Sequence, residues 1–108
     1  MKNYGKIKAN ADNRRELFIQ AGTALIESIK QSYEVNDFLH KYGIDAADYS
    51  DPAYIFLENF IATNFEDIVP IDPLADLFSI AEFGDAELKC GEIMATTPAE
   101  IYDYYTKR

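Results

Sequence analysis

The sequence predicts a mainly α-helical fold, a compact bundle of four to five short helices, and three observations carry that expectation. Apolar residues recur at steps of three and four along most of the chain. Asp51-Pro52, Asp72-Pro73 and Thr97-Pro98 each stand just before such a stripe, and a capping side chain followed by proline at the first helical position is a helix start. Strand-like patterning is confined to a weak trace in residues 1–10 and to residues 86–95, where a small β-hairpin is one of two readings.

Residues 1–10 alternate Lys with Tyr4 and Ile7 and read as a flexible arm in preference to a short edge strand. After Asp12, Leu17, Phe18, Ala21, Leu25, Ile29 and Tyr33 share one helical face, while Arg15, Gln20, Thr23, Glu27 and Gln31 share the other. This first helix is expected from about residue 12 to about residue 33. Asn36 can cap a second, short helix through His40, with Gly43 as its left-handed terminator and Ile44 folding back on Leu39. Behind Asp51-Pro52, the residues Tyr54, Ile55, Phe56, Leu57, Phe60, Ile61 and Phe65 make an apolar arc wide enough for a central helix.

Pro70 lacks an amide proton and biases Val69 toward extended geometry, so residues 68–71 read as a crossover. Asp72-Pro73 then begins a helix with Leu74, Leu77, Phe78 and Ala81 inward and Gly84 at its end. Residues 85–96 carry either one helical turn capped by Asp85 and closed by Gly91, or a hairpin of Leu88-Lys89-Cys90 with Ile93-Met94. Glu100, three residues after Thr97, completes a capping box. The last helix is expected to turn Ile101, Tyr104 and Tyr105 inward and to leave Tyr102 and Asp103 toward solvent.

With 108 residues, 48% of them apolar and 14% aromatic, the chain suits one domain, residues 1–108, that buries roughly two-thirds of its unfolded surface. That apolar content excludes intrinsic disorder, which needs low hydrophobicity together with high charge. No repeat, low-complexity tract or Gly/Ser linker divides it. The single cysteine, Cys90, excludes an internal disulfide framework. Residues 1–8 lack the apolar segment of a secretory signal. The longest apolar run, Ala53 to Leu57, is far short of the roughly 20 residues that cross a bilayer. A cytoplasmic protein with no membrane contact is expected.

Residues 42–106 hold fourteen Asp and Glu against one base, Lys89. Residues 1–41 carry seven Lys and Arg against five acids, and Lys107 and Arg108 close the chain, so segments of +2, −13 and +2 make up the net −9. Such a field repels polyanions and attracts basic surfaces. Asp45, Asp48 and Asp51 step by three, Asp72 and Asp76 by four, and Glu82, Asp85 and Glu87 lie close together. At helical spacing, like-charge pairs cost a few tenths of a kcal/mol each, which a merely soluble protein could relieve with a few lysines.

The expected function is a small protein-binding module, an adaptor, inhibitor or immunity-type protein, docking on a basic protein partner through residues 42–106. Those eight acids form the expected partner-binding set together with Tyr102 and Asp103, since an exposed tyrosine is a rigid, amphipathic contact. A nucleic-acid mimic is the second reading. Duplex DNA holds about 20 phosphates over about 34 Å, so mimicry needs most carboxylates on one face. A homo-oligomeric subunit is the third. Direct nucleic-acid binding ranks below these, because Lys6, Lys8, Arg14 and Arg15 make only a small basic patch.

Signatures of catalysis are missing: there is no nucleophile elbow, phosphate-cradling glycine loop or calcium loop. No catalytic residue and no cofactor are expected. Asp37 and His40 have the offset of a carboxylate–histidine metal pair, but a surface hydrogen bond between them accounts for that spacing, so no metal site is expected. Cys90, with Lys89 as its one basic neighbour, reads as a small buried hydrophobe.

Overall fold

The computed structural model describes residues 13–40 and 51–106, with the side chains of 32–40 and of residue 90 left aside. Helices α1 (Arg14–His40), α2 (Pro52–Asn64) and α3 (Ile71–Phe83) are followed by strands β1 (Ala86–Leu88) and β2 (Ile93–Ala95) and by helix α4 (Pro98–Thr106). Helix α1 is the spine, packing against each of the other three helices. The expectation of a mainly helical bundle with one small hairpin describes this architecture.

The predicted stripe of α1 is buried at Leu17, Phe18, Ala21 and Leu25, with Ile26 added and Ile29 packed at the margin. The expected break before Asn36 does not occur. Helix α1 runs unbroken to His40, because no glycine or proline stands between Gly22 and Gly43, and polar residues lower helix propensity by only about 0.7 kcal/mol or less each. The proposed arm at 1–10 and the Gly43 and Ile44 terminator lie outside the described residues.

Asp51 caps α2 as the sequence indicates: its carboxylate accepts from the Ala53 amide at 2.8 Å, and Pro52 occupies the first turn. Ala53, Leu57, Phe60 and Ile61 form the buried face. Ile55, expected inside, is exposed, since a run of five apolar residues wraps around a helix and only one side meets the core. Tyr54 stacks on Phe78 with ring centroids 5.8 Å apart, tying α2 to α3.

The start of α3 differs from the expected one. Its first residue is Ile71 and its cap position is Pro70, with no side-chain cap bond. Asp72 therefore lies inside the first turn, where a carboxylate interacts favourably with the helix dipole and does not serve as a cap. Pro73 is tolerated one residue later because the first four helical amides have no intrahelical partner. Gly84 ends α3 with φ 86°, and its amide bonds the Ile80 carbonyl at 2.9 Å, the left-handed stop that glycine adopts without Cβ strain.

The hairpin reading of residues 85–96 is the one realised, with β1 two residues earlier than Leu88-Lys89-Cys90. Ala86 pairs with Ala95, Glu87 with Met94 and Leu88 with Ile93. Buried Ala86 and Leu88 alternate with exposed Glu87, a strand period that three residues of sequence are too few to advertise. A 3-10 turn at Lys89–Gly91 joins the strands, with Gly91 at φ 87°.

Helix α4 opens on the predicted box. The Glu100 carboxylate accepts from the Thr96 amide at 3.1 Å and from both threonine hydroxyls, while the Glu100 amide donates to Thr97 Oγ1 at 3.4 Å. Pro98 then presses on Gly22 of α1. A Cβ added at Gly22 would stand 2.9 Å from Pro98 Cβ and 3.3 Å from Leu77 Cδ2. Glycine is unfavourable inside a helix by about 1 kcal/mol relative to alanine, so its presence here is explained by the close approach of α1, α3 and α4.

Gly22→Ala is therefore expected to destabilise the fold, because overpacking against a rigid proline ring costs about 1–3 kcal/mol and outweighs the propensity gain. Urea unfolding checks it: the midpoint should fall, and a midpoint unchanged or raised contradicts the close packing.

Candidate functional site

The acids of the expected docking set separate into different environments. Asp45 and Asp48 lie outside the described residues. The Asp51 carboxylate is engaged as the α2 cap. On α3, Asp72 and Asp76 are one turn apart and feel each other's charge, whereas Glu82 lies about 120° around the helix from Asp76 at 3.6 residues per turn. The acids of α3 thus do not form a single stripe. Glu82 and Glu87 are exposed and Asp85 half-exposed, on the segment that runs from the end of α3 through Gly84 into β1.

Between Glu82 and Asp85 stands Phe83, 72% exposed at the last residue of α3. The sequence reading did not single it out, although a phenylalanine directly before a helix-terminating glycine lies off the Leu77, Ile80 and Ala81 face. Strand β1 packs against α3, and on the hairpin's outer face Glu87 is paired with Met94, also exposed. The Glu87 carboxylate lies beside the Gly91 turn, 3.7 Å from where a Cβ would stand. Phe83 is thus an exposed aromatic ring with Glu82 and Asp85 close to it in sequence, and Met94 an exposed thioether paired across the hairpin with Glu87.

Asp76 faces α4. The Tyr105 hydroxyl donates to its Oδ2 at 2.7 Å. Burial raises the Asp76 carboxyl above its ordinary range, and the charge of Asp72 adds to this, while the Tyr105 bond opposes it. Burial likewise raises the Tyr105 phenol, and the adjacent Asp76 raises it further. This pair joins α3 to α4 and is a structural tie, not an open docking group.

Tyr102 is buried, at 8% exposure, where the sequence reading expected solvent. The inward face of α4 is Pro98, Ile101 and Tyr102, because the contact of Pro98 with Gly22 fixes the rotation of a helix only nine residues long. The Tyr102 ring lies 5.5 Å from Phe18 and 5.7 Å from Phe65, and Phe60 lies 6.3 Å from Phe18 and 6.1 Å from Phe65. Tyr102 is thus a core residue and no longer a partner-binding one. Asp103 is exposed as expected, but Arg15 Nε and Nη2 donate to its two oxygens at 3.0 and 3.1 Å. That bidentate bond raises the Arg15 guanidinium above its ordinary range.

A cavity of about 210 Å³ opens between the start of α1 and the ends of α2 and α4, lined by Arg14, Asn64, Phe65, Tyr102, Tyr105 and Thr106. Among the described residues, Arg14 Nε is buried without a hydrogen-bond partner. One available signal was not used in the sequence reading: two arginines occupy the first turn of a helix, where the dipole disfavours positive charge.

Among the described residues, no helix is long and apolar enough to cross a membrane, and no group of three or more His, Cys, Asp and Glu could hold a metal ion. The side chains of Asp37, His40 and Cys90 are not among those described. Comparison with protein-family models, curated proteins and solved structures finds no match.

The two shifted carboxyls act on stability with opposite sign. With its folded value raised, neutral Asp76 contributes stability that is fully present below its ordinary 3.8 and is lost as pH rises through the folded value. Glu100, lowered by the bond from the Thr96 amide, contributes stability present above its ordinary 4.5 and lost as pH falls through the folded value. Asp76→Asn, which keeps an acceptor for Tyr105, is accordingly expected to stabilise the protein at about pH 7 and to be neutral at about pH 3. Unfolding midpoints of both proteins at the two pH values check this, and an Asn variant destabilised at neutral pH contradicts it.

Proposed function

We propose that the chain is a protein-binding module that docks on a basic partner through the α3–hairpin end, with Phe83 at the centre and Glu82, Asp85 and Glu87 around it. The single observation that carries this reading is the 72% exposure of Phe83 among those carboxylates. An arginine approaching there meets a ring face for cation–π contact and a carboxylate for a charge-assisted bond. Met94 beside Glu87 extends the same mixture of apolar and acidic contact onto the hairpin.

The exposed apolar residues favour a protein over an imitation of nucleic acid. Val69, Ile71, Phe83, Ile93 and Met94 are all exposed among the acids, and a phosphate backbone offers nothing equivalent to them. Association with a second copy is opposed at long range by a charge of −9 on each chain.

Titration with an Arg/Leu amphipathic peptide, followed by amide shifts, tests the reading. Saturable shifts at residues 82–95 are expected, with affinity falling at least tenfold between about 0.05 and 0.5 M salt, where the screening length shortens. Phe83→Ala should leave the unfolding free energy within about 0.5 kcal/mol, since the ring is a surface group, while weakening peptide binding. Salt-independent binding, or binding indifferent to Phe83, rules the proposal out.

A further inference from the structure

We infer that the outer edge of β2 is a strand-addition site, at which an extended segment of the basic partner, alternating basic and apolar residues, pairs as a third strand. The inference rests on the docking reading above and names the form the partner takes there. Directly opposite residues of an antiparallel pair share one face of the sheet, so Ala86, Leu88, Ile93 and Ala95 lie on the inner face and Glu87 and Met94 on the outer. The inner face is closed unevenly. Ala86 and Ala95 are both buried, but on the rung next to the turn Leu88 is 2% exposed and Ile93 41%. The core thus covers β1, which packs against α3, and stops short of the turn half of β2, whose helix contact is with α4.

Two features make a strand the fitting occupant. Alternate residues of an antiparallel strand turn both backbone groups away from the partner strand, and among the described residues the sheet holds β1 and β2 alone. An added strand gives those outward groups their hydrogen bonds. It also sets one side chain beside Ile93 and the next beside Met94, on opposite faces, at the strand spacing of roughly 4.8 Å. The first position calls for an apolar residue, which extends the inner row of Leu88 and Ile93. The second calls for Arg or Lys, whose stem covers the exposed Met94 thioether and whose charge is directed to Glu87 on the strand beyond. Glu92, directly before β2, offers a further carboxylate in place of its exposed pairing with Lys89. A second copy of β2 is a poor occupant, since Ile93-Met94-Ala95 contains no base and each chain carries −9.

Two peptides of equal Arg and Leu content test this, one strictly alternating and one with Leu at helical spacing, each titrated into the isotopically labelled full chain. The alternating peptide is expected to bind at least about tenfold tighter, and to slow hydrogen exchange of at least one amide among residues 93–95 by a similar factor. Methylation of every second amide nitrogen removes the donors of one peptide edge and leaves the charge unchanged. One set of methylations should abolish binding and the other set should spare it. Ile93→Lys, a change at an exposed position that blunts the edge, should weaken the alternating peptide at least about tenfold with the rest of the amide spectrum retained. Equal or tighter binding of the helical-spacing peptide, unaltered exchange at residues 93–95, or full binding by both methylated forms overturns strand addition while leaving the docking reading in place. Binding of neither peptide overturns both.

Discussion

The contact of Gly22 with Pro98 is the constraint from which the arrangement of this molecule follows. The Pro98 ring lies so close to the α1 backbone that even a Cβ at position 22 would crowd it, and the Leu77 side chain of α3 closes the same gap. Once Pro98 is seated on Gly22, α4 has one rotation available, and Ile101 and Tyr102 enter the core. The directions of α1 and α4 are also set. Pro98 meets Gly22 and Asp103 meets Arg15, so the two helices run antiparallel, and the start of the first helix is brought to the end of the last. Both the aromatic cluster of Phe18, Phe60, Phe65 and Tyr102 and the cavity beside Arg14 are products of that juxtaposition.

How much of this was legible in the sequence depends on the range of the interaction that decides each feature. The Asp51 cap, the Gly84 stop and the Glu100 box rest on bonds within four residues, and all three could be read from residue types and spacing. The buried stripes of α1 and α3 were equally plain, since a period of three to four needs no knowledge of the partner helix. Tyr102 was misplaced for the opposite reason. Either of two adjacent arcs on α4 could have faced inward, and only a glycine 76 positions earlier in the chain decides between them. The Asp72 signal failed because Pro70 supplies an earlier start with the same fixed φ, displacing the carboxylate from cap to first turn.

Charge was legible as a total and illegible as a surface. Fourteen acids in residues 42–106 can be counted, but the count does not distinguish a carboxylate that caps a helix from one that meets solvent. Asp51, Asp76, Glu100 and Asp103 hold an amide, a phenol, a threonine pair and an arginine respectively. Each is partly spent on the fold, so each offers a partner less than its formal charge. Lys89 and Glu92 approach to 3.7 Å with both side chains well exposed, a pair of the kind that contributes little. Among the acids exposed to solvent, Glu82, Glu87 and Glu92 lie along the chain from the end of α3 through the hairpin.

Segregation of sign along the chain then gives the two ends of α1 and α4 a different character from the rest. Antiparallel packing places Arg15 of the first helix beside the last acid of the fourth, and the bidentate bond engages two of its N–H groups. No second carboxylate is among the described residues that line the cavity. At physiological ionic strength, fields between exposed charges decay over about 8 Å. Exposed acids at the end of α3 and the arginine pair at the start of α1 can therefore coexist on one small domain. The overall −9 is therefore a property of the whole chain, and it leaves the local pairing of Arg15 with Asp103 intact.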